Sequence, residues 1–204
     1  MKGLIIDVTA DEGLVILNID NDTKCVRLDS THRSGEFLLE YIDKILSQNS
    51  LKLSDIDYVG AINGPGSFTG IRVGLSTIKA IVFALNKKLI IKNAFEVVAS
   101  RVSCCQVLIP CTKTSTYYGN IVNGTLDNYG VKNNDELVCS MPVIIADRRP
   151  NIDTKAQVIE NWEQMLADYF RKCANNGEFI ELNKVAPFYI QLSQAERTEL
   201  DKQN

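Results

Sequence analysis

Asn63-Gly64-Pro65-Gly66-Ser67-Phe68-Thr69-Gly70-Ile71-Arg72-Val73-Gly74 joins two kinds of hydrophobic periodicity. The apolar run at residues 57–63 reads as a buried strand, and residues 71–85 carry apolar side chains at helical spacing. The stretch between them is a strand-to-helix joint. Gly64, Gly66 and Gly70 permit backbone conformations that a Cβ resists, Pro65 stiffens the turn, and Ser67 or Thr69 can cap the helix through a hydroxyl. A helix start of this kind points free N–H groups and the positive end of the helix outward, so Gly66, Ser67 and Thr69 are a candidate anion-binding turn. The plain alternative is a tight turn and nothing more. The joint is not a P-loop: Gly64 and Gly70 are one residue too far apart, and Ile71 stands where lysine would be.

The helix that follows is apolar on two sides. Ile71, Leu75, Ile78, Val82 and Leu85 recur at core spacing, while Gly70, Gly74, Thr77, Ile81 and Ala84 form a second row of small or apolar residues. A helix interior charges roughly 0.5–1 kcal/mol for a glycine relative to alanine, and close approach by another helix is one way to recover it. Gly70, Gly74, Thr77, Ile81 and Ala84, with Phe37 and Tyr41 from the preceding helix, are therefore candidate partner-interface residues. Packing within the chain against the sheet and that neighbouring helix would explain the same row.

Working outward, residues 3–8, 13–19 and 24–28 are short apolar or alternating runs separated by turn residues, which predicts three antiparallel strands. A helix with a wide apolar stripe is predicted at 35–47, a strand at 89–91 and a short helix at 94–102. Further on, strands are predicted at 106–109, 117–122, 137–139 and 143–145, and a helix at 155–173 that Asn175-Asn176-Gly177 ends. No repeat is visible. Three strands, helix, strand, helix, strand is the order of an RNase-H-like mixed sheet, so the fold class is α/β, with an N-terminal lobe at 1–100 and a smaller α/β lobe at 101–204.

Composition narrows the chemistry. The chain has 204 residues, of which 45% are hydrophobic, enough for a sizeable core. Its start is neither a signal peptide nor a membrane span, because Asp7 interrupts the apolar run, and the expected location is cytoplasmic. Six cysteines form no C-x-x-C pair and suit reduced core thiols, so no metal site is expected. His32 is the only histidine, which excludes metal sites that need two imidazoles. The net charge of −3 hides an uneven spread: residues 71–132 carry 8 basic and 2 acidic groups between two acidic thirds. Such a stripe suits phosphate or an acidic partner, but the whole chain is too acidic to bind nucleic acid tightly by itself.

The run Gly64-Pro65-Gly66-Ser67-Phe68-Thr69-Gly70-Ile71-Arg72-Val73-Gly74 resembles the G-P-G-S-F-T-G-[IV]-R-[IV]-G signature of the TsaB (YeaZ) family. Leu4-Ile5-Ile6-Asp7, residues 36–46 and Pro187-Phe188-Tyr189-Ile190 are similar to further parts of the pattern. The chain departs from it at Ser34-Gly35, where the family has histidine and serine, at residues 109–117, where its acid, arginine and glutamate are lost, and at Gln191, where arginine is common. The resemblance implies a two-lobed actin-like ATPase (ASKHA) fold that has lost its nucleotide site. It also implies a non-catalytic subunit that binds no cofactor alone. Its implied partners are a TsaD-like transferase, a TsaE-like ATPase and a second copy of itself, with tRNA reached only indirectly and no membrane. In line with this, Asp7-Val8-Thr9 replaces the D-x-G-T phosphate turn of active relatives. Two rival readings remain: an actin-like small-molecule kinase using Asp7, and a glycoprotease-like metallopeptidase.

Overall fold

The computed structural model describes residues 1–10, 12–28, 37–145 and 157–191. Strands β1 (Lys2–Asp7), β2 (Leu14–Ile19) and β3 (Asp22–Arg27) pair antiparallel, as the alternation and turn residues predict. Helix α1 (Leu38–Gln48) leads to β4 (Tyr58–Ile62), which pairs parallel with β1, and α2 (Phe68–Leu85) leads to β5 (Lys88–Lys92), parallel with β4. The first sheet thus has the order β3-β2-β1-β4-β5. After α3 (Ala94–Ala99) the strands β6 (Cys104–Pro110), β7 (Ser115–Val122), β8 (Thr125–Asn133), β9 (Val143–Ile145) and β10 (Gln157–Val158) form a second sheet of order β10-β9-β6-β7-β8. Read from β8, it repeats the first sheet strand for strand, antiparallel across β8, β7 and β6 and parallel across β6, β9 and β10. The repeat that the sequence hides is therefore a repeat of topology.

Alternation on the first sheet sorts its side chains between two layers. Leu4, Ile6, Val15, Leu17, Val59, Ala61 and Leu89 face α1 and α2, whose Leu38, Ile42, Ile45, Ile71, Leu75, Ile78 and Val82 close that core. Helix α2 is long and apolar enough to cross a membrane by length and composition, yet these buried residues belong to the chain's own core. On the other face, Ile5, Leu14, Ile16, Tyr58 and Ile90 share one cluster with α3, with helix α4 (Trp162–Asn175) and with Cys105, Val107, Ile109 and Tyr117 of the second sheet. The two sheets enclose a common core.

Helix α4 corrects one expectation. It begins at Trp162 instead of 155, because Gln157 and Val158 pair with β9; residues 155 and 156 lie outside the described residues. It packs on the first sheet, although the sheets change between Lys92 and Cys104. The fully buried Asn18 explains the docking. Its Nδ2 donates to Tyr58 Oη at 3.1 Å and to the Ala167 carbonyl of α4 at 2.9 Å, while its Oδ1 accepts from Arg171 of α4 at 3.2 Å. Arg27 of β3 adds a 2.7 Å ion pair with Glu163.

Other differences have local causes. Strand β8 is absent from the sequence reading because it is the outermost strand of its sheet and its Asp127, Asn128, Lys132 and Asn133 are exposed, which erases alternation. The strand predicted at 137–139 does not form; exposed Val138 and Cys139 have no sheet face to fill. Helix α2 starts three residues before Ile71, because the Ser67 hydroxyl accepts from Gly70 N–H and caps it there.

The segment after α4 returns to β5, with Ile180 N–H donating to Leu89 O at 2.9 Å. There Lys92 donates to Glu178 at 2.8 Å, and the Lys92 and Asn176 hydrogen bonds hold the Glu178 carboxyl at about 2, below its usual 4.5. A depressed acid stabilises the fold above its unfolded value and loses that contribution as pH falls through the folded one. We expect the thermal midpoint of Glu178→Gln to lie below that of the parent at pH 7. The gap should shrink as pH falls below 4.5 and close near 2. Thermal melts from pH 2 to 7 check this; a gap independent of pH would contradict it.

Candidate functional site

In an open α/β sheet, ligands sit in the crevice beyond the carboxyl ends of parallel strands. Here that position is taken by Asp7 at the end of β1 with Thr9 just beyond it, by Asn63 and Gly64 after β4, and by the start of α2. Asp7 is 5% exposed and both of its oxygens are engaged. Oδ1 accepts from Thr9 N–H at 3.1 Å and Thr9 Oγ1 at 2.7 Å, and Oδ2 accepts from the indole Nε1–H of Trp162 at 2.9 Å. The carboxylate that a kinase reading would need is thus held by Thr9 and covered by α4.

The candidate anion turn is also used from within. Gly66 has φ of 154°, and a Cβ there would strike the Thr9 carbonyl, so this glycine lets the joint run against the end of β1. Ser67 N–H donates to that same carbonyl at 2.7 Å, and the Ser67 hydroxyl takes the Gly70 N–H at 3.2 Å. Two donors that an anion would use are therefore spent on β1 and on the cap, while Thr69 is exposed. Tyr189 closes the outer side, stacked on Phe68 with ring centroids 4.6 Å apart and accepting from Arg72 Nε at 2.9 Å.

The candidate interface residues divide. Gly70, Gly74 and Ile81 are buried in the chain's own core: a Cβ on Gly70 would strike Val8 O, and one on Gly74 would lie 2.7 Å from Val8 Cγ2. Within this chain, the close approach that Gly70 and Gly74 permit is made by β1's extension at Val8. Thr77 is half-buried and Ala84 exposed, on an outward arc of α2 that also carries Val73, Ser76, Ala80 and Phe83. Phe83 is 82% exposed, the largest value among the big apolar side chains described. Phe37, just before α1, and Tyr41 of α1 are half-buried, and Tyr41 packs against the α1/α2 core with Lys44 5.9 Å from its ring centroid. The structure leaves α2 as the helix with an uncovered apolar arc.

Among the described residues no group of three metal-ligating side chains comes together. His32 lies outside the described residues. The described cysteines are free thiols, and burial pushes Cys105 and Cys173 up to about 11, a range suited to inert core thiols. Trp162 is the residue that sequence reading missed. Its signal was available: it is the chain's one tryptophan, and it opens an amphipathic helix with a donor that burial obliges to find an acceptor.

A family model of TsaD, tRNA N6-adenosine threonylcarbamoyltransferase, matches residues 29–129. The tRNA threonylcarbamoyladenosine biosynthesis protein TsaB of Buchnera aphidicola subsp. Baizongia pistaciae is 29% identical over 89 residues, 40% of either chain. The tRNA N6-adenosine threonylcarbamoyltransferase of Protochlamydia amoebophila is 38% identical over 64 residues, 31% of this chain and 19% of its own. The matches therefore span well under half the length of these curated relatives. YeaZ from Pseudomonas aeruginosa has the same fold, with a TM-score of 0.71 at 17% identity over 92% of this chain and 99% of its own. The chain is thus similar in sequence to TsaB over part of its length and shares the fold of YeaZ.

Since Gly74 faces Val8, Gly74→Leu should overpack the chain's own core and destabilise the monomer by roughly 1–3 kcal/mol. Urea titration of the isolated chain checks it, and an unchanged midpoint would return Gly74 to the surface. Trp162→Phe keeps an aromatic, smaller side chain but leaves Asp7 Oδ2 without its donor, at a cost of about 1–3 kcal/mol with an unchanged urea m-value. A cost near zero would show that the bond to Asp7 contributes little.

Proposed function

We propose that this chain is a non-catalytic subunit in the formation of threonylcarbamoyladenosine at the adenosine next to the tRNA anticodon. In this reading it docks on a TsaD-like transferase through the outward arc of α2, works with a TsaE-like ATPase and reaches tRNA only through its partners. The observation that carries it is the state of the crevice: Asp7, the carboxylate that active relatives keep for phosphate chemistry, is hydrogen bonded on both oxygens by Thr9 and Trp162. A chain that has closed its own site yet keeps an exposed apolar arc around Phe83 and Ala84 is suited to holding a partner. The sequence likeness to TsaB supports this pathway, and a tRNA-modifying role fits a cytoplasmic location. The kinase reading requires Asp7 to exchange these hydrogen bonds for a ligand, and nothing in the geometry favours it over the scaffold.

Reconstitution tests the proposal. The purified chain alone should transfer no threonylcarbamoyl group to tRNA, and activity should appear when a histidine-bearing TsaD-like subunit, the ATPase and the donor are supplied together. Modification by this chain alone would sink the reading, as would micromolar binding of ATP in a calorimetric titration. Ala84→Glu and Phe83→Asp should weaken association with the transferase at least tenfold, since each places a charge in an apolar contact. Their thermal midpoints should stay within a few degrees of the parent, measured where association does not itself raise the midpoint. Normal association in both variants would place the interface elsewhere.

A further inference from the structure

Residues 186–191 touch three separate parts of the molecule. On the first sheet, Phe188 N–H donates to Asn63 O at 2.8 Å, and Asn63 Nδ2 donates to Ala186 O at 2.9 Å. On the second sheet, the Phe188 ring lies 5.1 Å from the ring of Tyr129 on β8, and Gln191 Oε1 is 3.8 Å from the Cys111 sulfur just beyond β6. The same ring meets Phe95 of α3 edge-on at 6.3 Å. On α2, Tyr189 stacks on Phe68 at 4.6 Å and accepts the Arg72 Nε–H at 2.9 Å. Phe188 and Tyr189 are neighbours in the chain, yet one is held by the second sheet and the other by the first turn of α2.

We propose that this segment is a strap that couples the setting of the second sheet to the first turn of α2. The first turn of a helix is its least secured part, because its leading N–H groups lack intrahelical partners. Here Ser67 satisfies one of them, and the stack of Tyr189 on Phe68 supplies much of the remaining restraint. Phe188 is fixed to β4 through its backbone and to β8 through its ring, so a change in how β8 sits relative to β4 must move it. Tyr189, one peptide bond away, then shifts on Phe68 and Arg72. An element that two sites bias in this way is the physical requirement for coupling between them. The coupling stands on these contacts alone; its consequence for docking rests on the proposed role of the α2 arc.

Native-state hydrogen exchange of the whole chain tests the strap through a residue that touches Phe188 and has no described contact with α2. Tyr129 is 45% exposed, so Tyr129→Ala is expected to fold. Amides at 68–74 should exchange at least threefold faster in Tyr129→Ala and in Phe188→Ala, and at least tenfold faster in Tyr189→Ala. Amides at 38–48 of α1 should keep their parental rates in all three. If only Tyr189→Ala accelerates exchange, the segment is a local clamp and the coupling is overturned. Equal acceleration of α1 and α2, meaning general loss of stability, overturns it as well, as does no change in any variant. Because no partner is present, the outcome is independent of the association assay.

Discussion

Helices α3 and α4 lie between two sheets, and everything else about this molecule follows from that sandwich. Each sheet alone would show water one apolar face, Ile5, Leu14, Ile16 and Ile90 on the first and Cys105, Val107 and Ile109 on the second. Burying such faces at about 25 cal/mol per Å² is the main favourable term available to the fold. Both faces can be buried at once only if the chain leaves the first sheet, builds the second and then comes back. The return is made by α4, whose docking is specified by the buried Asn18 with Tyr58, Ala167 and Arg171. An apolar surface alone would let α4 slide; a buried amide with one set of partners does not, because any shift leaves it unpaired.

The same return shapes the surface. With α3 and α4 committed to the interior, the core-facing side of α2 is buried while Ser76, Ala80, Phe83 and Ala84 on its other side are exposed. The glycines of α2 are a matter of the interior: they bring the helix start against Val8 and Thr9, and so fix where the outward arc points. Signature glycines and exposed face are therefore two sides of one placement.

How much of this was legible follows from what a one-dimensional pattern can carry. The first sheet was readable because its strands are short apolar runs set off by turn residues and its helices bury one stripe each. The family was readable because residues 64–74 combine glycines, a cap and a core stripe. The orientation of the glycine row was not, because periodicity says that Gly70 and Gly74 share a face and is silent on which atoms meet it. Strand β8 was hidden by its exposed Asp127, Asn128 and Lys132, and the duplicated topology by the absence of any shared residue pattern between the halves. That Trp162 needs an acceptor was legible, but not that the acceptor is Asp7, 155 positions away.

That long-range pair also ties the Asp7 carboxylate to the stability of the interior. A buried carboxylate without a cation must be satisfied by donors, or burial opposes its ionisation. Two residues after Asp7, where D-x-G-T has its glycine, stands Thr9, whose N–H and hydroxyl both donate to Asp7, while Val8 before it is 2% exposed and abuts Gly74 of α2. Asp7 then relies on Thr9 and on the indole of α4. Reopening the crevice would withdraw Trp162, and with it the first turn of the helix that closes the core between the sheets. Ligand binding at Asp7 would thus compete directly with the docking of α4. Docking of α4 and satisfaction of the Asp7 carboxylate are one arrangement, since the residue that opens the helix is also the donor to Asp7 Oδ2.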